Sequence, residues 1–286
     1  MTKAKLDKLR IVLVEPAGAL NVGAIARVMK NFGLSQLFLV NARCDPMGEE
    51  ARLMAVHAAD VLDQCRQVEH LSQALEGCQQ AVATTARDRA TRPLYSPEAG
   101  LARLLVAPST EAASALIFGP EDRGLSNEEL AYAQCSIRIP THPGYPSLNL
   151  AQAVAVCCYV LSGLAQRLPD PSGADGPAGS PAGSRASSMA GPSDPVVAPA
   201  LSPLDGAIAP LDEVEGLYQH LETTLLRIGY LYPHTAASRM EKFRDLGHRA
   251  QLSSQEVTML RGILRQIAWY VDPNRRDGST ADELEA

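Results

Sequence analysis

The chain has 286 residues, of which 46% are hydrophobic and 20% charged, so it can build a sizeable core and is not disordered throughout. Its formal net charge of −6 excludes a general attraction to nucleic acid, and any RNA contact must come from local patches. The six cysteines form no CxxC pair, which favours reduced core thiols over a disulfide framework. No uninterrupted apolar run has the length of a signal peptide or a spanning helix, and we expect a soluble, cytoplasmic protein with no membrane partner.

Short apolar runs alternate with helix-like segments in residues 1–168. Strands are predicted over 10–14, 36–40, 81–85, 115–118 and 137–140. Helices are predicted over 22–33, 48–59, 70–77, 96–106, 126–133 and 148–166. Ser126 and Glu129 form a capping box at the start of one of these helices. The alternation predicts an α/β domain in which helices cover both faces of a parallel sheet.

The composition changes after Leu168. Residues 169–210 hold nine of the 20 prolines and no aromatic residue, and such a segment cannot bury enough apolar surface to offset its ordering entropy. We predict a flexible linker there. Residues 211–286 then show helical periodicity over 211–228, 236–249 and 253–270, which predicts a helical C-terminal extension.

The first motif is an N-x-G-x-x-x-R element formed by Asn21, Gly23 and Arg27, with Phe32-Gly33 after it, at a predicted strand-to-helix turn. A glycine there permits close backbone approach to a phosphate or cofactor, and a helix start attracts anions. Arg27 lies further into the helix, within reach of a phosphate. In the alternative interpretation, Gly23 only relieves packing and Arg27 is a surface charge.

The second motif, G-P-E-D-R-G-L-S at 119–126, follows a predicted strand. Its two glycines and its proline fix the shape of a tight loop. It is not a phosphate-binding loop, because the G-K-[ST] ending is missing and Glu121 and Asp122 would repel phosphates. The lack of a G-x-G-x-x-G after any strand argues against a nicotinamide-dependent oxidoreductase. An ordinary tight turn is the alternative.

The third motif occupies 139–150 and reads I-P-T-H-P-G-Y-P-S-L-N-L, at the start of an apolar helix. A helix cap would explain Ser147, but it would leave Asn149 unexplained in the first turn. Arg87 and Arg89 follow the 81–85 strand in a loop suited to phosphate contact. These loops all follow the carboxyl ends of strands, where open α/β sheets bind ligands.

Taken in this order, the three motifs resemble those of the SpoU branch of the SPOUT methyltransferases, and the resemblance covers residues 10–166. The extension resembles that of bacterial tRNA (cytidine/uridine-2′-O-)-methyltransferases of this branch, through Y-Q-H-L-E at 218–222 and L-R-G-I-L at 260–264. The resemblance implies an α/β fold with a C-terminal trefoil knot, and a homodimer with its active site at the subunit interface. It also implies S-adenosylmethionine as cofactor and, as substrate, the ribose 2′-hydroxyl of tRNA position 32 in the anticodon loop.

Roles for individual residues follow from the same resemblance. Cofactor contacts are implied for Thr84, Thr85, Ala86, Gly119, Ile139, Pro146, Ser147 and Leu148. Catalysis or RNA positioning is implied for Asn21, Arg27, Ser147 and Asn149. RNA contact is implied for Arg27, Arg87 and Arg89. No metal is implied, and the sequence shows no metal-ligand cluster.

The extension carries a local excess of positive charge. Residues 239–265 hold six basic and three acidic side chains, which predicts phosphate contacts with tRNA. The predicted contacts are Arg239, Lys242, Arg244 and Arg249. A solvated helical face is the alternative.

Arg27 is predicted to clamp a phosphate and not to act as a base, because a guanidinium stays protonated and accepts no hydrogen bond. Ser147 and Asn149 are predicted to orient the hydroxyl.

Two other functions fit the same motifs. One is a SpoU-type enzyme acting on ribosomal RNA or another tRNA position, and the other is a non-catalytic RNA-binding module that kept the fold.

Overall fold

The computed structural model describes residues 6–87, 93–105, 112–167 and 208–272, and a parallel sheet forms its centre. The strands in these residues are β1 (Leu9–Val14), β2 (Gln36–Val40), β3 (Arg66–Val68), β4 (Cys78–Thr84), β5 (Leu94–Tyr95), β6 (Ala113–Phe118) and β7 (Cys135–Ile137). They are ordered β3-β2-β1-β6-β4-β7-β5, and every neighbouring pair is parallel.

Helices cover both faces of the sheet. Those of the first domain are α1 (Ala19–Asn31), α2 (Glu49–Ala55), α3 (Ala59–Asp63), α4 (Leu71–Ala74), α5 (Pro97–Leu105), α6 (Asn127–Leu130) and α7 (Leu150–Arg167). Ile11 and Leu13 of β1 pack on the side of α1, α5 and α7, whereas Val12 and Val14 pack on the side of α4 and α6. Burial on both faces explains why the strands read as continuous apolar runs.

The predicted α/β class and the five predicted strands are confirmed, with shifts of a few residues at their ends. The sequence does not predict β3 and β5, which are short and carry mostly exposed side chains. The single helix predicted over 48–59 is wrong, because Val56 adopts a φ of +53° and the chain divides there into α2, a short 3-10 turn and α3. The trefoil knot stays a prediction of the resemblance.

Gly23 has a packing role. A Cβ built on it would lie 2.1 Å from the carbonyl oxygen of Ala51 in α2. The hydrogen atom of glycine is therefore what lets α1 pack against the α2 backbone. This contact supports the packing role of Gly23, and its approach to a phosphate or cofactor stays a prediction.

The C-terminal residues form a three-helix unit, which consists of α8 (Leu211–Arg227), α9 (Ala236–Ala250) and α10 (Ser254–Tyr270). Leu217, Met240 and Leu264 contribute to its core, one from each helix. The unit begins before residue 211, because Ile208 pairs with Ser253 at the start of α10. The predicted linker boundary at 210 is therefore three residues too late, and the rest of that linker lies outside the described residues.

The helical unit docks on the first domain at the amino end of β4. The backbone N–H of Gly77 donates to the carboxylate of Asp212 at 2.9 Å, and the Gln79 side chain donates to the carbonyl of Ile208 at 2.8 Å. Leu211 completes the core on the α4 and α6 side of the sheet. The sheet and the helical unit therefore share one of their apolar cores.

Arg244 of α9 contacts both the helical unit and the first domain at this interface. Its guanidinium makes a bidentate ion pair with Glu215 of α8, and the two side chains are only 17% and 10% exposed. It also lies over the ring of Tyr218 at 4.7 Å and over that of Tyr132, in the first domain, at 5.8 Å. The prediction that Arg244 contacts RNA is wrong, because its charge is used inside the protein.

We expect Arg244→Ala to destabilise the helical unit by about 3 kcal/mol, because removing one partner of a buried ion pair leaves the other charge unpaired. Urea unfolding followed through the fluorescence of Trp269, the single tryptophan of the chain, measures the effect. Arg249→Ala, at an exposed position of the same helix, is the matched control and should change stability by less than about 0.5 kcal/mol. Equal unfolding midpoints for the two variants would contradict the assignment.

Candidate active site

A cavity of about 270 Å³ lies at the carboxyl ends of β4, β6 and β7. The end of β4 contributes Thr84, and the end of β6 contributes Phe118. The eight residues predicted to contact the cofactor all line this cavity, and they are Thr84, Thr85, Ala86, Gly119, Ile139, Pro146, Ser147 and Leu148. Three loops that are far apart in sequence are thus brought together at the predicted edge of the sheet.

Gly119 shapes the wall of the cavity through its own loop. A Cβ at this position would lie 2.3 Å from the backbone nitrogen of Leu125, so a side chain would force the 119–125 loop open. Glycine at position 119 is therefore required by a contact inside the protein. Gly124 completes the turn with a φ of +66°, which favours glycine.

An ion-pair network ties the 119–125 loop to neighbouring elements, and Asp122 and Arg123 of this network also line the cavity. Arg43 pairs with Glu15, at the end of β1, and with Asp122 at 3.0 Å. Arg123 pairs with Glu129 at 2.9 Å and reaches Glu15 at 3.2 Å. The hydrogen bond from Arg43 is the main cause that lowers the pKa of Glu15. The network thus ties the loop to the end of β1 and to α6.

A chain of hydrogen bonds connects the three motifs. The Asn21 amide nitrogen donates to the Glu121 carboxylate at 2.8 Å, and the Asn149 amide nitrogen donates to the Asn21 oxygen at 3.1 Å. Burial acts to raise the pKa of Glu121, but the hydrogen bonds from Asn21 and from the Ala17 backbone hold it below its ordinary value. An ionised Glu121 therefore fixes which way both amide side chains point.

Asn149 is the N-cap of α7. Its side-chain oxygen accepts from the backbone N–H of Ala151 at 2.9 Å, and the helix begins at Leu150. The sequence prediction placed Asn149 inside the first turn and considered Ser147 as the cap, which is wrong by two residues. Asn149 therefore caps the helix with its oxygen while its nitrogen holds Asn21. Ser147 instead lines the cavity.

The predicted arginines take different positions. Arg27 is exposed on α1 and lies outside the cavity lining. Arg87 lies at the cavity, where its guanidinium donates to the backbone carbonyl of Arg123 at 2.9 Å. Arg89 lies outside the described residues. The structure therefore joins Asn21 to Asn149 by a hydrogen bond, places Ser147 in the cavity lining and leaves Arg27 outside that lining.

Cysteine chemistry plays no visible part in this site. All six cysteines carry free thiols, and burial raises the pKa of Cys78 and Cys135 to about 11. Such thiols are protonated at neutral pH and react poorly as nucleophiles. Among the described residues, no group of three or more His, Cys, Asp or Glu side chains is placed to hold a metal ion.

Sequence reasoning missed Glu121 and the network behind it. Glu121 was considered only as a charge that would repel phosphate, although it organises Asn21 and Asn149. A carboxylate directly after the end of a strand, in a loop lined by other polar residues, is the signal that points to it. Arg43 has no comparable signal, because it lies 79 residues from Asp122 in sequence.

Comparison with known proteins agrees with this geometry. The model of the SpoU rRNA Methylase family matches residues 8–159, which include all three motifs. The chain belongs to the SpoU methylase family. Residues 212–279 match a second family model, that of the C-terminal domain of the tRNA methyltransferase TrmJ.

Relatives within the SpoU family match over nearly the whole chain. The tRNA (cytidine/uridine/adenosine-2′-O-)-methyltransferase TrmJ of Pseudomonas aeruginosa is 37% identical, over 91% of this chain and 94% of its own length. The tRNA (cytidine/uridine-2′-O-)-methyltransferase TrmJ of Pectobacterium atrosepticum is 38% identical, over 92% and 97%. The crystal structure of TrmJ from Z. mobilis superposes with a TM-score of 0.71 at 30% identity, over 91% of this chain and 98% of that one.

We expect replacement of Asn149 to separate helix capping from positioning. Serine is as good an N-cap as asparagine, whereas alanine costs about 1 kcal/mol, so Asn149→Ser should keep the stability that Asn149→Ala loses. Both variants lose the hydrogen bond to Asn21, and both should slow methyl transfer by about 10- to 100-fold, as misplaced site groups do. Thermal unfolding and initial rates measure the two effects. Wild-type activity of Asn149→Ser would show that the amide contact is not needed.

Proposed function

We propose that this protein transfers a methyl group from S-adenosylmethionine to the ribose 2′-hydroxyl of nucleotide 32 of tRNA. The observation that carries the proposal is the hydrogen-bonded chain of Glu121, Asn21 and Asn149, which joins the three SpoU motifs beside one cavity. The names of the relatives, all tRNA 2′-O-methyltransferases, support tRNA as the substrate. Position 32 rests on the family resemblance of the sequence.

The cavity suits S-adenosylmethionine. Its volume of about 270 Å³ is near the lower end of ligand pockets, roughly 300–1,000 Å³. Ile137, Ile139 and Leu148 give it an apolar wall, and Thr84 and Thr85 give it polar groups at the end of β4. When bound, the cofactor supplies an electrophilic methyl group on a sulfonium. The residues of the chain then have to exclude water and align the attacking hydroxyl.

The ribose hydroxyl would be oriented by polar groups beside the cavity. The hydroxyl group of Ser147 and the amide group of Asn149 are both able to form hydrogen bonds with it. The Asn149 amide is already held in one orientation by Asn21 and by the α7 backbone, so little reorganisation accompanies the reaction. Arg27 would hold a neighbouring phosphate and favour the developing negative charge, because it cannot accept the proton.

We further propose that the active enzyme is a homodimer. Arg27 is exposed on α1 and lies outside the cavity lining, which supports an active site that a second subunit completes. Leu20 of α1 and Val156 and Tyr159 of α7 are exposed, and an apolar surface of this kind suits a partner subunit. By length and composition α7 would also pass as a membrane-spanning helix, but core helices of soluble proteins do so as well. We place the enzyme in the cytoplasm, where its tRNA substrate is found.

A methylation assay with tritiated S-adenosylmethionine and unmodified tRNA tests the function. We expect the label on the 2′-oxygen of nucleotide 32, and no label on a tRNA that carries deoxyribose at that position only. Label at another nucleotide, or only on ribosomal RNA, would establish the alternative substrate. Tight RNA binding without any methyl transfer would establish a non-catalytic RNA-binding module.

Arg27 variants test the phosphate-clamp role. We expect Arg27→Ala to lose about 100-fold or more in rate, the usual effect of removing an electrostatic stabiliser. Arg27→Lys should retain part of the rate, because the point charge remains although the bidentate fork is lost. The pH–rate profile of the lysine variant should keep its shape. A profile that loses one ionisation would instead identify Arg27 as the base.

A further inference from the structure

The turn between α8 and α9 displays aromatic side chains on the protein surface. Tyr230 is 53% exposed and Tyr232 is 56% exposed, and Ile228 beside them is exposed too. We call residues 228–234 the aromatic turn. Large exposed aromatic groups in one short segment mark a surface that contacts another molecule.

The aromatic turn is held rigidly by the helical unit. Leu231 lies between the two tyrosines and is buried in the core of that unit. The backbone N–H groups of Tyr230 and Leu231 both donate to the carbonyl of Leu225 at 3.0 Å, and Gly229 takes the required φ of +76°. Burial of Leu231 therefore fixes Tyr230 and Tyr232 on the outside, so that little conformational entropy is lost when they bind a partner.

The chemistry around the tyrosines favours an anionic, aromatic ligand. The ring of Tyr232 stacks on that of His234, with centroids 6.0 Å apart. The Arg239 guanidinium lies 5.7 Å from the centroid of the Tyr230 ring and donates to the Tyr230 carbonyl at 3.3 Å. Residues 227–240 contain no acidic side chain. Arg227, which directly precedes the aromatic turn, pairs with Asp272 at 3.6 Å.

We propose that the aromatic turn binds unpaired bases of the tRNA substrate, with Tyr230 and Tyr232 stacking on the bases and Arg239 contacting a phosphate. Aromatic side chains stack on any base, and single-stranded RNA is recognised mainly in this way. The Arg239 guanidinium beside Tyr230 suits a ligand that carries phosphate groups better than a neutral protein surface. The proposal rests on the proposed function and adds a second contact with the same RNA.

This contact is separate from the cavity. The helical unit docks at the amino end of β4, and the cavity lies at the carboxyl end of that strand. The aromatic turn is at the other end of α8, and a helix of its 17 residues spans about 25 Å. The bases on the aromatic turn are therefore different from the nucleotide that is methylated.

Binding of fluorescently labelled unmodified tRNA to the full-length protein, measured at several salt concentrations, tests the proposal. We expect the double variant Tyr230→Ala, Tyr232→Ala to bind at least about tenfold more weakly, since loss of one stacked base costs roughly 5- to 150-fold. Its salt dependence should stay unchanged, because no charge is lost. Arg239→Ala should also weaken binding but should flatten the salt dependence, because it removes a phosphate contact.

Two control variants and two measurements make the test specific. The double variant Tyr230→Phe, Tyr232→Phe keeps both rings and should bind within about twofold of the wild type, and Leu246→Ala, at an exposed apolar position of α9, should do the same. Cofactor affinity should not change in any variant.

Unchanged tRNA affinity in the double alanine variant would overturn the proposal. A changed oligomer mass in solution together with unchanged tRNA affinity would identify the aromatic turn as a protein interface and would also overturn the proposal. A wild-type protein that neither binds nor methylates tRNA would refute the proposed function itself.

Discussion

The candidate site depends on charge neutralisation around Glu15. Arg43 and Arg123 both pair with this carboxylate, and each also holds a second acid next to the 119–125 loop. These pairs add to the hydrogen bonds that Glu121 accepts from Asn21 and from the Ala17 backbone, and together they hold the loop in position on the sheet. The wall of the cavity, the carboxylate of Glu121 and the orientation of Asn21 all follow from that position.

Local patterns explain how much of the fold could be predicted. The continuous apolar strands and the Ser126–Glu129 capping box are short-range signals, and the structure contains all five predicted strands and the box. The position of the ligand cavity could also be predicted from the sequence, because the carboxyl ends of parallel strands meet at one edge of a sheet. Asn149 was chosen for the right reason, its polarity beside an apolar helix, but its capping role depends on a helix start that the sequence does not mark.

Long-range pairs could not be predicted. Arg244 belongs to a basic stretch of sequence, and only the folded structure shows that Glu215 and two tyrosine rings neutralise and cover it. Similarly, the sequence around Gly23 fits a phosphate turn, and only the folded structure shows that the glycine is needed against the backbone of Ala51. In both cases a residue type that is typical of ligand binding has a packing role. The local sequence does not show this role, because the contacting residue comes from a distant part of the chain.

The docking of Leu211 into the sheet core has a consequence for the length of the segment that joins the two domains. That side chain and the Asp212 and Ile208 contacts hold the helical unit in its orientation on the sheet. The entropy of closing a flexible connection grows slowly with its length, by about 0.6 kcal/mol for each doubling. Because the sequence predicts a flexible linker over 169–210, we expect insertions there to cost little stability while these docking contacts remain.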